Sequence, residues 1–188
     1  KELRKEVAKK LSVPPYIVFQ DPSLEDMTIQ YPITLEEMNQ ISGVGPGKSE
    51  KFGQAFIELI AKYVEDNEIE RPVDLVVKSV VNKSGLKVFV IQNIDRKLPL
   101  PTIADAKGLT MDDLLAEIER IVSSGTSINI DYYINEAIEA EAVEDITAYF
   151  QEAESDSIKE ALEELGEDAY SEEEVRLVRI KFISKFGN

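Results

Sequence analysis

Apolar residues recur at three- and four-residue intervals through both ends of the chain, and proline, glycine and capping pairs punctuate them. That period belongs to helices packed on one face. Leu3, Val7 and Leu11 form one stripe, which Val13-Pro14-Pro15 ends, because a residue before proline is pushed out of the α region. Asp21-Pro22 reads as an N-cap followed by proline at the first helical position, with Leu24 and Met27 facing inward and Tyr31-Pro32 as the stop. Thr34 and Glu37 make a capping pair for a helix carrying Leu35, Met38 and Ile41. After Gly43-Val44-Gly45-Pro46-Gly47, a helix from about Lys48 to Val64 aligns Phe52, Phe56, Leu59, Ile60 and Tyr63.

The same grammar returns after residue 100. Thr110 and Asp113 cap a helix with Leu114, Leu115, Ile118 and Ile121 inside and Gly125 as its stop, and Ile103-Ala104 precede it at helix-turn-helix spacing. Amphipathic stretches follow at Ile134–Phe150 and Ile158–Leu165, the latter stopped by Gly166. Ser171 and Glu174 cap a last helix holding Val175, Val178, Phe182 and Ile183. The fold class expected is all-α: a small helical bundle over 1–66 and a helix-turn-helix-like domain over 100–188.

Residues 67–99 are less regular. Val73, Val76, Val77, Val80 and Val81 have helical spacing but β-favouring chemistry, and Leu86–Ile91 suits a strand or the first turns of a helix. Lys78, Lys83, Lys87, Arg96 and Lys97 make it the basic stretch, read as a linker with solvated lysines or as a strap following a phosphate backbone.

Charge and composition then narrow the function. The 188 residues carry a formal charge of −16, distributed as −3 over 1–66, +2 over 67–100 and −15 over 101–188. There is no cysteine and no histidine, which excludes disulfides, thiolate zinc sites, the Ser-His-Asp triad and the usual general base. No catalytic residue and no metal ligand is assigned. Apolar runs such as Val88–Ile91 are far short of the roughly 20 residues a bilayer demands, so no membrane partner is expected. Lys1–Lys10 is charged throughout, unlike a signal peptide, and it opens in mid-helix pattern, as in a piece of a longer protein; a cytoplasmic location is expected.

Gly47-Lys48-Ser49 imitates the end of a phosphate-binding P-loop, but Ser42 stands where that loop needs glycine and a helix precedes it where a strand belongs. Helix, glycine turn, helix leaves two readings. In one, free backbone N–H groups and the following helix N-terminus hold a nucleic-acid phosphate, which makes Gly43, Gly45, Gly47, Lys48 and Lys51 the candidate site. In the other, the glycines only let two helices pack closely. Arg4 and Lys5 are separate candidates on the first helix.

Leu3–Val64, with Val13-Pro14-Pro15-Tyr16-Ile17-Val18-Phe19-Gln20-Asp21, then Thr34-Leu35 and Ile41-x-Gly43-Val44-Gly45-x-x-Lys48, closely resembles an HRDC domain, the module named for RecQ helicases and ribonuclease D. Ile103-Ala104-x-x-Lys107-Gly108-Leu109-Thr110, Ile158-Lys159-Glu160-Ala161-Leu162 and Tyr170-Ser171-x-x-Glu174-Val175-Arg176-Leu177-Val178 resemble the helix-turn-helix domain that follows HRDC in some bacterial RecQ helicases. The resemblance implies the C-terminal region of a RecQ-family ATP-dependent DNA helicase. It implies no cofactor in this chain, with ATP and magnesium held by an upstream helicase core. The implied partners are single-stranded or branched DNA, bound weakly, the helicase core in cis, and DNA-repair proteins.

Two features temper a DNA-reading role. The candidate recognition helix begins Thr110-Met111-Asp112-Asp113 and continues through Glu117 and Glu119, with Arg120 its one cation, whereas base readout uses Arg, Lys, Asn or Gln. The acidic half therefore reads as a protein-docking or structural module. Glu136, Glu139, Glu141, Glu144 and Asp145 read as a solvated face rather than a metal cluster, and Tyr132-Tyr133 as packing.

Overall fold

The computed structural model describes residues 1–69, 71, 83–166 and 168–187; helices and no strands occur among them. The first group comprises α1 (Glu2–Leu11), α2 (Pro15–Val18), α3 (Asp21–Gln30), α4 (Leu35–Met38) and α5 (Pro46–Asp66). The second comprises α6 (Lys83–Asp95), α7 (Leu100–Asp105), α8 (Met111–Ser123), α9 (Asp131–Ala137), α10 (Ala140–Glu152), α11 (Ile158–Leu165) and α12 (Glu172–Phe186).

Local chemistry sets most boundaries. Thr34 accepts from the Glu37 amide, while the Glu37 carboxylate reaches back to the amide of Ile33. Thr110 with Asp113 and Ser171 with Glu174 are complete capping boxes. Gly125 (φ 91°) and Gly166 (φ 101°) lie in the region that favours glycine, just past α8 and α11. Asp21 is displaced from its expected cap position: Gln20 is the N-cap of α3, and the Asp21 carboxylate turns instead to Lys1 and Arg4.

The first core is built on Phe19, which meets Phe56 edge-on at 4.9 Å and Phe52 at 6.2 Å, with Val18, Met27, Met38 and Ile57 around it. In the second, α12 is the hub. Val175, Leu177, Val178, Ile180, Phe182 and Ile183 are all buried, so it presents apolar groups on every side. The tetrapeptide α2 divides between the two: Val18 joins the first core, Tyr16 and Ile17 the second.

Three expectations are corrected. In α1 Leu3 and Val7 pack against the first core as expected, beside the buried Arg4 and Ala8, but Leu11 leaves the stripe and is 47% exposed, while Arg4 faces inward to donate to the Phe19 carbonyl. The linker drawn over 67–99 does not hold over 83–95, where α6 sinks Val90 and Ile94 into the second core. Burial settles there what a short apolar run leaves open. The stretch Ile134–Phe150 is two helices, α9 and α10, broken at Ile138 and Glu139, both extended. The valine run from 73 to 81 lies outside the described residues.

Candidate nucleic-acid interface

The glycine turn between α4 and α5 faces the second group of helices. A Cβ on Gly45 would fall against the Ser124 carbonyl oxygen, and one on Gly47 against that of Gly125, closer than real Cβ atoms come to any atom. Gly125 answers in kind: its own Cβ would sit 2.6 Å from the Lys48 amide nitrogen. Two backbone turns thus cross with no side chain between them, which only glycine permits. Gly43 (φ 74°) is exposed at the outer edge, and the neighbouring Ser42 amide donates to the Asp26 carboxylate at 2.7 Å. The Asp26 carboxylate thus holds the amide that leads into the turn.

Lys48 is 2% exposed and its ammonium makes no hydrogen bond or ion pair with a described residue. Burial pulls its pKa down from the ordinary lysine value to about 8; Asp156 opposes that shift and Lys51 adds to it. Lys51 donates to the Phe186 carbonyl at 3.3 Å and lies over the Phe52 ring. Around these residues the seam is stitched further. The Tyr16 hydroxyl donates to the Phe150 carbonyl, and Gln20 donates to Asp156 at 2.5 Å. Burial beside Asp156 pushes the Tyr16 hydroxyl well above the usual phenol range, so it remains a donor.

The candidates named from sequence separate accordingly. Gly45, Gly47 and Lys48 belong to a packing seam, and Lys51 is held at its edge. Arg4 is 8% exposed and donates to the Phe19 carbonyl at 2.8 Å and to Asp21 at 2.6 Å. Lys1 and Arg4 together hold the Asp21 carboxyl below the usual carboxylate range. Lys5 is exposed, and with it Lys9 and Lys10, on the solvent face of α1, without ion pairs to described residues. Sequence reasoning missed Lys9 and Lys10; the signal was their four- and five-residue spacing from Lys5, which places Lys5 and Lys9 on one helix face.

In the acidic half the cations are committed internally. Arg120 pairs with Glu117, Lys159 with Glu163, and Lys181 with Asp131. Arg176 bridges Asp112 and Glu119, and Arg179 bridges Glu119 and Asp156. Lys107 and Lys185 lie over the Phe89 and Phe186 rings. Among the described residues no group of His, Cys, Asp or Glu is placed to hold a metal ion, and no helix is long and apolar enough to cross a membrane.

A helical bundle with a Val-Pro-Pro-Tyr corner and a glycine turn, packed on a capped helix-turn-helix, defines the class of these two units. Residues 1–60 match the HRDC domain family, and residues 84–134 match the RecQ-1-like helix-turn-helix domain, so the chain carries an HRDC domain followed by a RecQ-1-like helix-turn-helix domain. Over 61 residues, 32% of this chain, it is 49% identical to an ATP-dependent DNA helicase RecQ of Haemophilus influenzae. The corresponding RecQ proteins of Pasteurella multocida and Bacillus subtilis are 44% and 39% identical over the same length. In each case the match spans about a tenth of the relative, 10% of its length.

Proposed function

We propose that the chain is a non-catalytic accessory region of a RecQ-type ATP-dependent DNA helicase acting in the cytoplasm, where ATP and magnesium belong to the helicase core. In this reading the HRDC domain adds weak, sequence-independent affinity for single-stranded or branched DNA. The acidic half docks against protein, either the helicase core in cis or a DNA-repair partner.

One observation carries the division of labour. Lys5, Lys9 and Lys10, which form no ion pair with a described residue, sit on α1 of the HRDC domain, whereas the arginines of the acidic half are consumed by its own carboxylates. Phosphate affinity depends on cations free to displace counterions. The α8 helix has none: Arg120 is tied to Glu117. Titrating the full chain against single-stranded, branched and duplex oligonucleotides at several salt concentrations tests the proposal. Micromolar or weaker binding to single-stranded or branched DNA that fades with salt supports it. The absence of binding at low salt would leave protein docking as the whole function.

A further inference from the structure

The HRDC domain carries a second surface with chemistry unlike that of α1's lysines. Between α1, α3 and α5 runs an open groove of about 900 Å³. Leu3, Leu24, Phe56 and Ile60 form its floor, and Leu59 and Tyr63 stand on its wall. Leu59 is 55% exposed and Tyr63 52%, although both lie on the apolar face of a 21-residue helix. Large side chains so placed on an otherwise well-packed bundle leave apolar surface in contact with water along the groove. Tyr31, stacked on Tyr63 at 6.4 Å, closes one end.

The rim is acidic. Glu2, Glu6 and Glu25 border the groove, all exposed, and their carboxylates make no ion pair or hydrogen bond with a described residue. Among the described residues that line the groove the one cation, Lys1, is held by Asp21 at 2.9 Å. An apolar floor under unpaired carboxylates repels a phosphate backbone and attracts a cationic, apolar guest. A second copy of the chain is a poor guest: pairing identical faces would bring like rims together on a protein of charge −16.

We propose that this groove docks an amphipathic helical segment of a partner protein, one whose apolar stripe is flanked by lysine or arginine. The apolar stripe would bury Leu59 and Tyr63, as in helix-in-groove recognition, and the flanking cations would reach Glu2, Glu6 and Glu25. This assigns a protein-docking site to the HRDC domain itself, independently of the acidic half and of the helicase assignment.

The test uses the full chain and a fluorescent designed peptide with leucine on one helical face and lysine on the other, followed by anisotropy. Saturable binding is expected, weakened about tenfold or more in a Leu59→Gln/Tyr63→Ser variant. Glu6→Gln/Glu25→Gln, at exposed positions outside the core, should also weaken binding and reduce its salt dependence. Equal binding by either double variant, equal binding of a leucine–glutamate analogue, or no saturable binding at all would overturn the proposal. So would a dimer of the unliganded chain that Leu59→Gln/Tyr63→Ser dissolves, since the groove would then belong to a second copy.

Discussion

Gly47 and Gly125 meet backbone to backbone across the seam between the two helical groups, each occupying the space a Cβ on the other side would need. This close approach makes the glycine turn a joint, and it explains why glycine recurs on both sides of it. Replacing Gly47 with alanine should cost about 1–3 kcal/mol through overpacking. Gly125→Ala should cost more, since φ 91° adds backbone strain. Urea denaturation checks both, with Gly108→Ala as a control for positive φ without a close neighbour.

Lys48 makes stability depend on pH in a specific window. Its pKa falls from the ordinary lysine value of 10.5 to about 8 on folding, so between those values the unfolded chain binds more protons than the folded one. Stability contributed by this group therefore rises as pH climbs from about 8 to 10.5, and the cost of burying the charge is fully present below 8. Lys48→Met should stabilise the protein near neutral pH by on the order of 3 kcal/mol and flatten that alkaline slope. Thermal melts of both proteins at several pH values would show it. A Lys48→Met protein less stable than the wild type at pH 7 would mean that attraction to Asp156 outweighs desolvation.

Tyr16 tests whether the two groups share a core. Tyr16→Phe keeps the packing but leaves the buried Phe150 carbonyl without its donor, a loss of about 1–3 kcal/mol. Chemical denaturation should remain one cooperative transition in the wild type. Two separated transitions would show that the seam contributes little.

The isolated acidic half, taken from Lys83 so that α6 keeps its place in the core, should not bind duplex DNA at physiological salt. Arg120, Lys159, Arg176, Arg179 and Lys181 are already paired with carboxylates, Lys107 and Lys185 lie over aromatic rings, and Lys87 donates to Thr126. Among the described side chains this leaves Arg96 and Lys97 as exposed cations with no ion pair to a described residue, too few to hold a duplex. Sub-micromolar binding of residues 83–187 to a duplex would contradict this.

The elements legible in the sequence were those that declare themselves locally. Thr34, Thr110 and Ser171 each announce a helix start, and Gly125 and Gly166 each announce a stop, because capping and positive φ are properties of a few adjacent residues. What depended on distant neighbours was not legible. Whether Leu86–Ile91 is helix or strand is decided by the core that receives Val90 and Ile94. Arg4 looks like a surface cation until Phe19, fifteen positions away, supplies a buried carbonyl. Lys48 looks like a phosphate ligand until Gly125 closes over its amide. The glycine turn is recognisable from sequence as a turn with two possible uses, but the choice between them rests on a neighbour 78 residues away along the chain. Lys5 stands out by its charge alone; Lys9 shares its helix face and needed only the helical period.

Nucleic acid is expected to meet the chain on α1, with the glycine turn serving as a joint. The most direct measurement is the salt dependence of single-stranded DNA binding for the wild type, Lys5→Ala/Lys9→Ala and Lys48→Met, each checked for an unchanged helical spectrum. Weaker binding is expected for Lys5→Ala/Lys9→Ala, with a logarithmic salt slope reduced by about 0.7 for each phosphate no longer neutralised, and wild-type affinity and slope for Lys48→Met. Unchanged binding in the α1 variant together with a flattened slope in Lys48→Met would contradict it, and would return the phosphate to the glycine turn.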